Sequence, residues 1–198
     1  MTDQPQLSQD LINEFVIAAH SDLDKVKTML AEQPALLNEN AVWLETPVQA
    51  AAHVGNTEIA EYLLDQGAPL DICTAAMLGL TDEVELFLKE DPELVNATGA
   101  HNIPLMFYPM LYGRLAIAEK LLAAGTPINS TEDGSQSPLH GAVLFEEETM
   151  VRWLLDHDAN PYAVDFEGKT AFERAEEHGY TAIADLLRPF FDVDEDEA

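Results

Sequence analysis

The chain has 198 residues, 47% of them hydrophobic, and sets 37 acidic residues against nine basic ones for a formal net charge of −28. This apolar content excludes a wholly disordered chain, and the charge repels nucleic-acid phosphates and anionic membranes. Cys73 is the only cysteine, no apolar run reaches the roughly 18 residues of a membrane span, and Met1 to Asp10 lacks a basic-then-apolar leader. Together these features predict a cytoplasmic protein without disulfides. The acidity itself has two readings, solubility in a saline environment or attraction of a basic client.

After a flexible N-terminus over 1–8, the predicted elements form helix pairs. The first pair, over 9–40, carries Ala18-Ala19, Val26 and Leu30 and leads into Gln33-Pro34-Ala35-Leu36. In the second, over 41–70, Thr46 is an N-cap before Pro47, and Gln49 three residues on completes a capping box. Gly55 ends this slim alanine helix, and Ile59, Ala60, Leu63 and Leu64 share one face of the next. Gly67 then caps it in the left-handed conformation, and Pro69 prevents continuation. The third pair, over 71–97, repeats the first with Ala75-Ala76, Gly79, Val84 and Leu88 before Asp91-Pro92-Glu93-Leu94.

The fourth pair, over 98–129, keeps the intervals of the second through Gly113, Ile117, Leu121, Leu122 and Gly125. It has one extra residue before Gly113, and Pro109 predicts a kink or bulge because it removes a helical hydrogen bond. The fifth, over 130–161, opens on Ser137-Pro138-Leu139-His140. Glu146 replaces the expected glycine there, which predicts a corner built differently, and the loop 130–137 is a residue longer than its counterpart in the sixth pair. The sixth, over 162–191, has Gly168, a Thr170–Glu173 capping box, Gly179, Ile183 and Leu187. The stretch 192–198 reads as a disordered acidic tail, since its alternating acids lack the glycine and distal glutamate of a calcium loop. Spacings of 34 residues from Pro104 to Pro138 and 33 from Pro138 to Ala171 mark a stack of units.

The Thr-Pro-Leu-His-like openings, the alanine pairs, Gly55, Gly113 and Gly179, and the double leucines resemble the ankyrin repeat family over about Gln9 to Arg188. The resemblance implies an all-α solenoid of about six antiparallel helix pairs joined by protruding loops or short hairpins. It also implies that His140 holds adjacent loops together. It further places turn tips and the residues before each inter-helix glycine on a concave, partner-facing surface. Mapped onto this chain, that surface contains Val42, Trp43, Glu45, His53, Val54, Met77, Asn102, Tyr112, Phe145, Phe166, Glu167, Lys169 and His178. Leu78, Leu111 and Leu144 hold equivalent places, with packing between helices as the alternative reading. Trp43, Met77, Tyr112, Phe145 and Phe166 make a stripe that is apolar for so acidic a chain, as binding anchors are, with burial in the core as the alternative reading. Phe107, Tyr108 and Trp153 read as packing residues.

No phosphate loop, HExxH or paired-cysteine motif is present, and the six histidines are scattered. Cys73 reads as a small buried hydrophobe and Asp156-His157-Asp158 as a solvated turn. The sequence thus predicts a monomeric, non-enzymatic module without cofactor or metal. It would bind a protein partner, basic in character, and neither nucleic acid nor membrane. The alternative is a stoichiometric inhibitor or immunity-type protein that blocks a basic nucleic-acid-binding enzyme by charge mimicry. If self-repulsion is a large term, moderate salt raises the unfolding temperature, and a flat response up to molar salt contradicts this.

Overall fold

The computed structural model describes residues 7–129 and 136–192. The two termini and the loop 130–135 lie outside the described residues, and with them the expectations of a flexible start, an acidic tail and a longer fifth-unit loop. Among the described residues the chain forms six helical hairpins. Their elements are α1 (Gln9–Ala18), α2 (Leu23–Glu32), α3 (Pro47–His53), α4 (Thr57–Asp65), α5 (Ile72–Leu78) and α6 (Thr81–Glu90). A 3-10 helix (Leu105–Tyr112) pairs with α7 (Leu115–Ala124), followed by α8 (Pro138–Leu144), α9 (Glu148–Asp156), α10 (Ala171–His178) and α11 (Thr181–Leu187). The first helices pack side by side in chain order, and the second helices form the other layer, with α2 on α4, α6 on α7 and α9 on α11.

Capping chemistry sets where the first helices begin. Thr46, Ser137 and Thr170 each accept from the backbone N–H three residues on, and Gln49, His140 and Glu173 return the bond to the cap backbone. Asp71 caps α5 in the simpler way, through Thr74 N–H. Pro34–Asn38 and Pro92–Asn96 are short 3-10 helices after α2 and α6, matching the likeness of the first and third units. Among the paired leucines, Leu63, Leu121, Leu154 and Leu187 are fully buried between layers. Truncating any one to alanine removes packing worth about 2–5 kcal/mol.

Alanines and one glycine let the first helices approach closely. Ala50, Ala51, Ala75, Ala76 and Ala142 are inaccessible to solvent. A Cβ on Gly141 would lie 2.9 Å from the Phe107 ring and 3.0 Å from its carbonyl oxygen, so the fifth unit needs hydrogen there. At Pro109 the outcome differs from a local kink or bulge, since the whole helix Leu105–Tyr112 is wound as 3-10. Leu105 to Leu111 are all buried, Phe107 and Tyr108 included, so this helix is an apolar wedge between α5 and α8.

The corner at Glu146 corrects the sequence reading. Its φ of 57° is left-handed, like Gly55 at 73°, Gly113 at 60° and Gly179 at 73°. Its hydrogen bonds follow the same pattern too: Glu146 N–H donates to Val143 O and Glu147 N–H to Ala142 O, as Gly55 and Asn56 donate to Ala52 O and Ala51 O. The stack imposes the corner, and the glutamate carries a strain of roughly 1–2 kcal/mol that glycine avoids. At Gly55 the constraint is doubled, because a Cβ there would stand 2.6 Å from Phe145 Cζ.

His140 behaves as the resemblance implied. It is buried, its Nδ1 takes the Ser137 N–H at 3.1 Å, and its Nε2 donates to Lys169 O at 3.0 Å, joining the fifth unit to the sixth turn. Burial lowers its pKa from the ordinary 6.5, although the Lys169 carbonyl pulls the other way. The neutral ring therefore adds stability that is present above pH 6.5 and is lost as the pH falls through the lower folded value.

Two outcomes follow from this geometry. Glu146→Gly raises the melting temperature by roughly 2–4 °C, whereas Gly55→Ala lowers it by at least as much; equal shifts in one direction contradict the shared corner. Between about pH 7 and about pH 5.5 the wild type loses stability faster than His140→Gln, and parallel thermal-melt profiles contradict the assignment of that loss to His140.

Candidate functional site

Three turns of one design carry the exposed residues. Across 41–45, 99–103 and 165–169 the first residue's N–H donates to the last residue's carbonyl, at 3.0, 2.9 and 2.9 Å. The fourth position is left-handed in each, at Leu44 (65°), Asn102 (56°) and Gly168 (75°). Unit three has no such turn, since Gly67 to Asp71 runs straight into α5. The sixth turn is pinned by Asp165, a buried carboxylate that accepts from Glu167 N–H, Lys169 N–H and Arg174. Burial pushes its pKa up, but those donors and the Arg174 charge hold it below the usual range.

Most of the residues assigned to a partner face lie along these turns and helix ends. Val42 is 62% exposed, Leu44 82% and Phe166 68%, and Trp43 is at the margin. Asn102, Glu167 and His178 are exposed, while Val54 and Lys169 are half-buried. Lys169 is held by Glu177 at 2.5 Å, with Glu167 at 3.8 Å. Phe166, Glu167 and His178 line one shallow groove with Leu144 and Arg174.

Two assignments are corrected. Met77 is fully buried in the layer of first helices, where α5 packs between α3 and the Leu105–Tyr112 helix. Leu111, at the equivalent place in the fourth unit, is buried too although a turn precedes its helix, Leu78 is half-buried, and Leu144 is exposed. Glu45 is 1% exposed and faces inward, so it presents nothing to a partner. Tyr112 and Phe145 take on an internal role. Their rings pack 4.7 Å apart, and the Tyr112 hydroxyl donates to Gly55 O at 2.5 Å. They bridge the helix ends of units two, four and five. Cys73 is a buried thiol, its pKa pushed well up by burial and by Asp71. Trp153 is half-buried against the core, and His157 is tied to the Trp153 carbonyl.

Around Glu45 the stack assembles a cluster that the sequence reading missed. His20 from the corner of unit one places Nε2 3.7 Å from Glu45 Oε2. His53, the last residue of α3, places Nδ1 2.9 Å from Oε1, and His101 of the fourth-unit turn places Nε2 3.7 Å from the same oxygen. Trp43 Nε1–H donates to Oε2 at 2.6 Å. The His53 ring stands edge-on to both other imidazoles, with centroids 5.0 and 5.2 Å away. Burial raises the Glu45 pKa, but His53, the Trp43 bond and the His20 charge outweigh it and hold the carboxyl below its usual range. One clue was available: Trp43 and His101 occupy the same position in their turns, so an aligned register places His101 over unit two once unit three lacks a turn.

The sequence is similar to known proteins. Residues 105–196 match the family described as ankyrin repeats in three copies, and residues 43–75 match a single ankyrin repeat. The chain is 29% identical over 196 residues to an Escherichia coli (strain K12) protein, YahD, whose name assigns it ankyrin repeats; the match covers 90% of this chain and 96% of that one. It is 24% identical to the nuclear factor NF-kappa-B p105 subunit of Gallus gallus, over 98% of this chain and 22% of that protein. A shorter match, 39% over 54 residues, is to an L-asparaginase of Dirofilaria immitis and covers 9% of it. With the recurring capped openings, left-handed corners and helical hairpins, these matches show that the chain belongs to the ankyrin repeat family.

Proposed function

We propose that the chain is a non-enzymatic protein-interaction module whose docking surface is the row of turn tips and first-helix ends. The observation that carries this reading is the exposure of Val42, Leu44 and Phe166 at turn tips, on a chain with a net charge of −28. Apolar side chains held out on rigid turns and surrounded by acids suit a partner that offers apolar pockets within a basic rim. The turns are fixed by backbone hydrogen bonds and by Asp165, so little ordering cost is paid on binding. Docking involves Val42, Trp43, Val54, Asn102, Phe166, Glu167, Lys169 and His178. Tyr112 and Phe145 support that surface from within.

A photo-crosslinking residue at Leu44 or Phe166 is expected to capture a basic protein, while one at Glu61 on the exposed side of α4 captures none. Phe166→Ala then weakens binding of that protein by roughly tenfold or more, with an unchanged melting temperature. Capture from Glu61 alone, or unchanged affinity in Phe166→Ala, overturns the surface. If affinity collapses with salt yet ignores Phe166, acidic mimicry against a nucleic-acid-binding protein replaces it.

A further inference from the structure

The His20–Glu45–His53–His101 cluster has a chemistry that partner docking does not use. Glu45 Oε1 is buried and has no hydrogen-bond partner. His53 Nδ1 stands 2.9 Å from Oε1 and 3.2 Å from Gln49 O, so it would ligate a cation by giving up its proton and the Gln49 contact. Oε2 is satisfied by Trp43 alone. At His20, Nδ1 donates to Val16 O at 3.0 Å and Ile17 O at 3.2 Å, which in the neutral ring leaves Nε2 with its lone pair turned toward the carboxylate. A backbone carbonyl that fixes the tautomer and frees the other nitrogen is the usual outer support of a metal-binding imidazole. An ionised, buried carboxylate facing an imidazole lone pair is repulsive until a cation stands between them.

We infer that His20, Glu45, His53 and His101 form a binding site for a divalent transition-metal ion of the zinc class. One ligand atom from each of His20, Glu45 and His53 already lies within 4.8 Å of the others. Donors on a tetrahedral zinc ion, each about 2.1 Å from the metal, stand about 3.4 Å apart. The nitrogen–oxygen separations are 3.7 Å from His20 to Oε2, and 2.9 and 3.7 Å from His53 and His101 to Oε1, so His20, Glu45 and His53 make a three-ligand core and the exposed His101 side chain swings in as the fourth ligand. Three imidazoles and one carboxylate select zinc-class ions over calcium or magnesium, which take oxygen shells. His101, with its side chain 49% exposed, leaves the site open to solvent for entry. The bound ion clips the turn of unit four to units one and two, across the unit that has no turn. This inference does not rest on the partner reading.

The test is a zinc titration of the full, chelator-stripped chain in excess magnesium, which occupies the acidic surface, repeated with Co2+ as a spectroscopic probe. One zinc per chain is expected, with a raised melting temperature and the intense visible absorption of four-coordinate Co2+. His53→Ala and Glu45→Gln should lower the affinity by about tenfold or more. His101→Ala, on an exposed turn, should do the same without unfolding the chain. Zinc uptake that magnesium abolishes, a six-coordinate Co2+ spectrum, or wild-type zinc affinity in folded His101→Ala and His53→Ala overturns the site.

Discussion

Close packing of the short first helices is the constraint on which the rest of this structure depends. Each of α3, α5 and α8 has seven residues, begins at a side-chain cap and reverses through a left-handed corner or its equivalent. A helix that short cannot bury its apolar face alone, so its stability comes from the neighbours on either side. Alanines at the contacts and Gly141 against Phe107 allow that approach. The wedge Leu105–Tyr112 exchanges α-helical hydrogen bonding for 3-10 winding and recovers the loss through burial of Leu105 to Leu111.

The same packing decides what faces outward. Wherever a turn precedes a first helix, its tip projects beyond the layer and its left-handed fourth residue fixes the direction of the side chains. At the middle of the stack, Met77 and Leu111 are both lost to the core between neighbouring first helices. The gap in the row of turns is also what lets His101 lie over Glu45 and His53 of unit two. A local deletion in one unit thus creates a meeting point for side chains from three others, and the charge balance of that point turns on one buried carboxylate.

Much of the fold was legible in the sequence because its determinants are local. Thr46–Gln49 and Thr170–Glu173 announce their caps, and Gly55, Gly113 and Gly179 announce their corners. Leu63, Leu121 and Leu154 fall at the spacing that buries them. Glu146 misled because the stack can force a left-handed residue that propensity disfavours. The candidate surface was legible only where exposure follows position in the turn, as at Val42 and Phe166. Tyr112 and Phe145 were ambiguous, since a bridging aromatic and a waiting one share the same spacing. The histidine cluster was hard to read from local pattern: its members stand at positions 20, 45, 53 and 101, and it is the stacking of the units that brings them together.

That the repeat geometry assembles a cation site from three units is most directly tested by an anomalous difference map at the zinc edge, from crystals of the full chain grown with zinc. One strong peak bonded to Glu45 and to ring nitrogens of His20, His53 and His101 is the expected result. Peaks only on surface carboxylates, with Glu45 still held by Trp43 and the three rings metal-free, would contradict it.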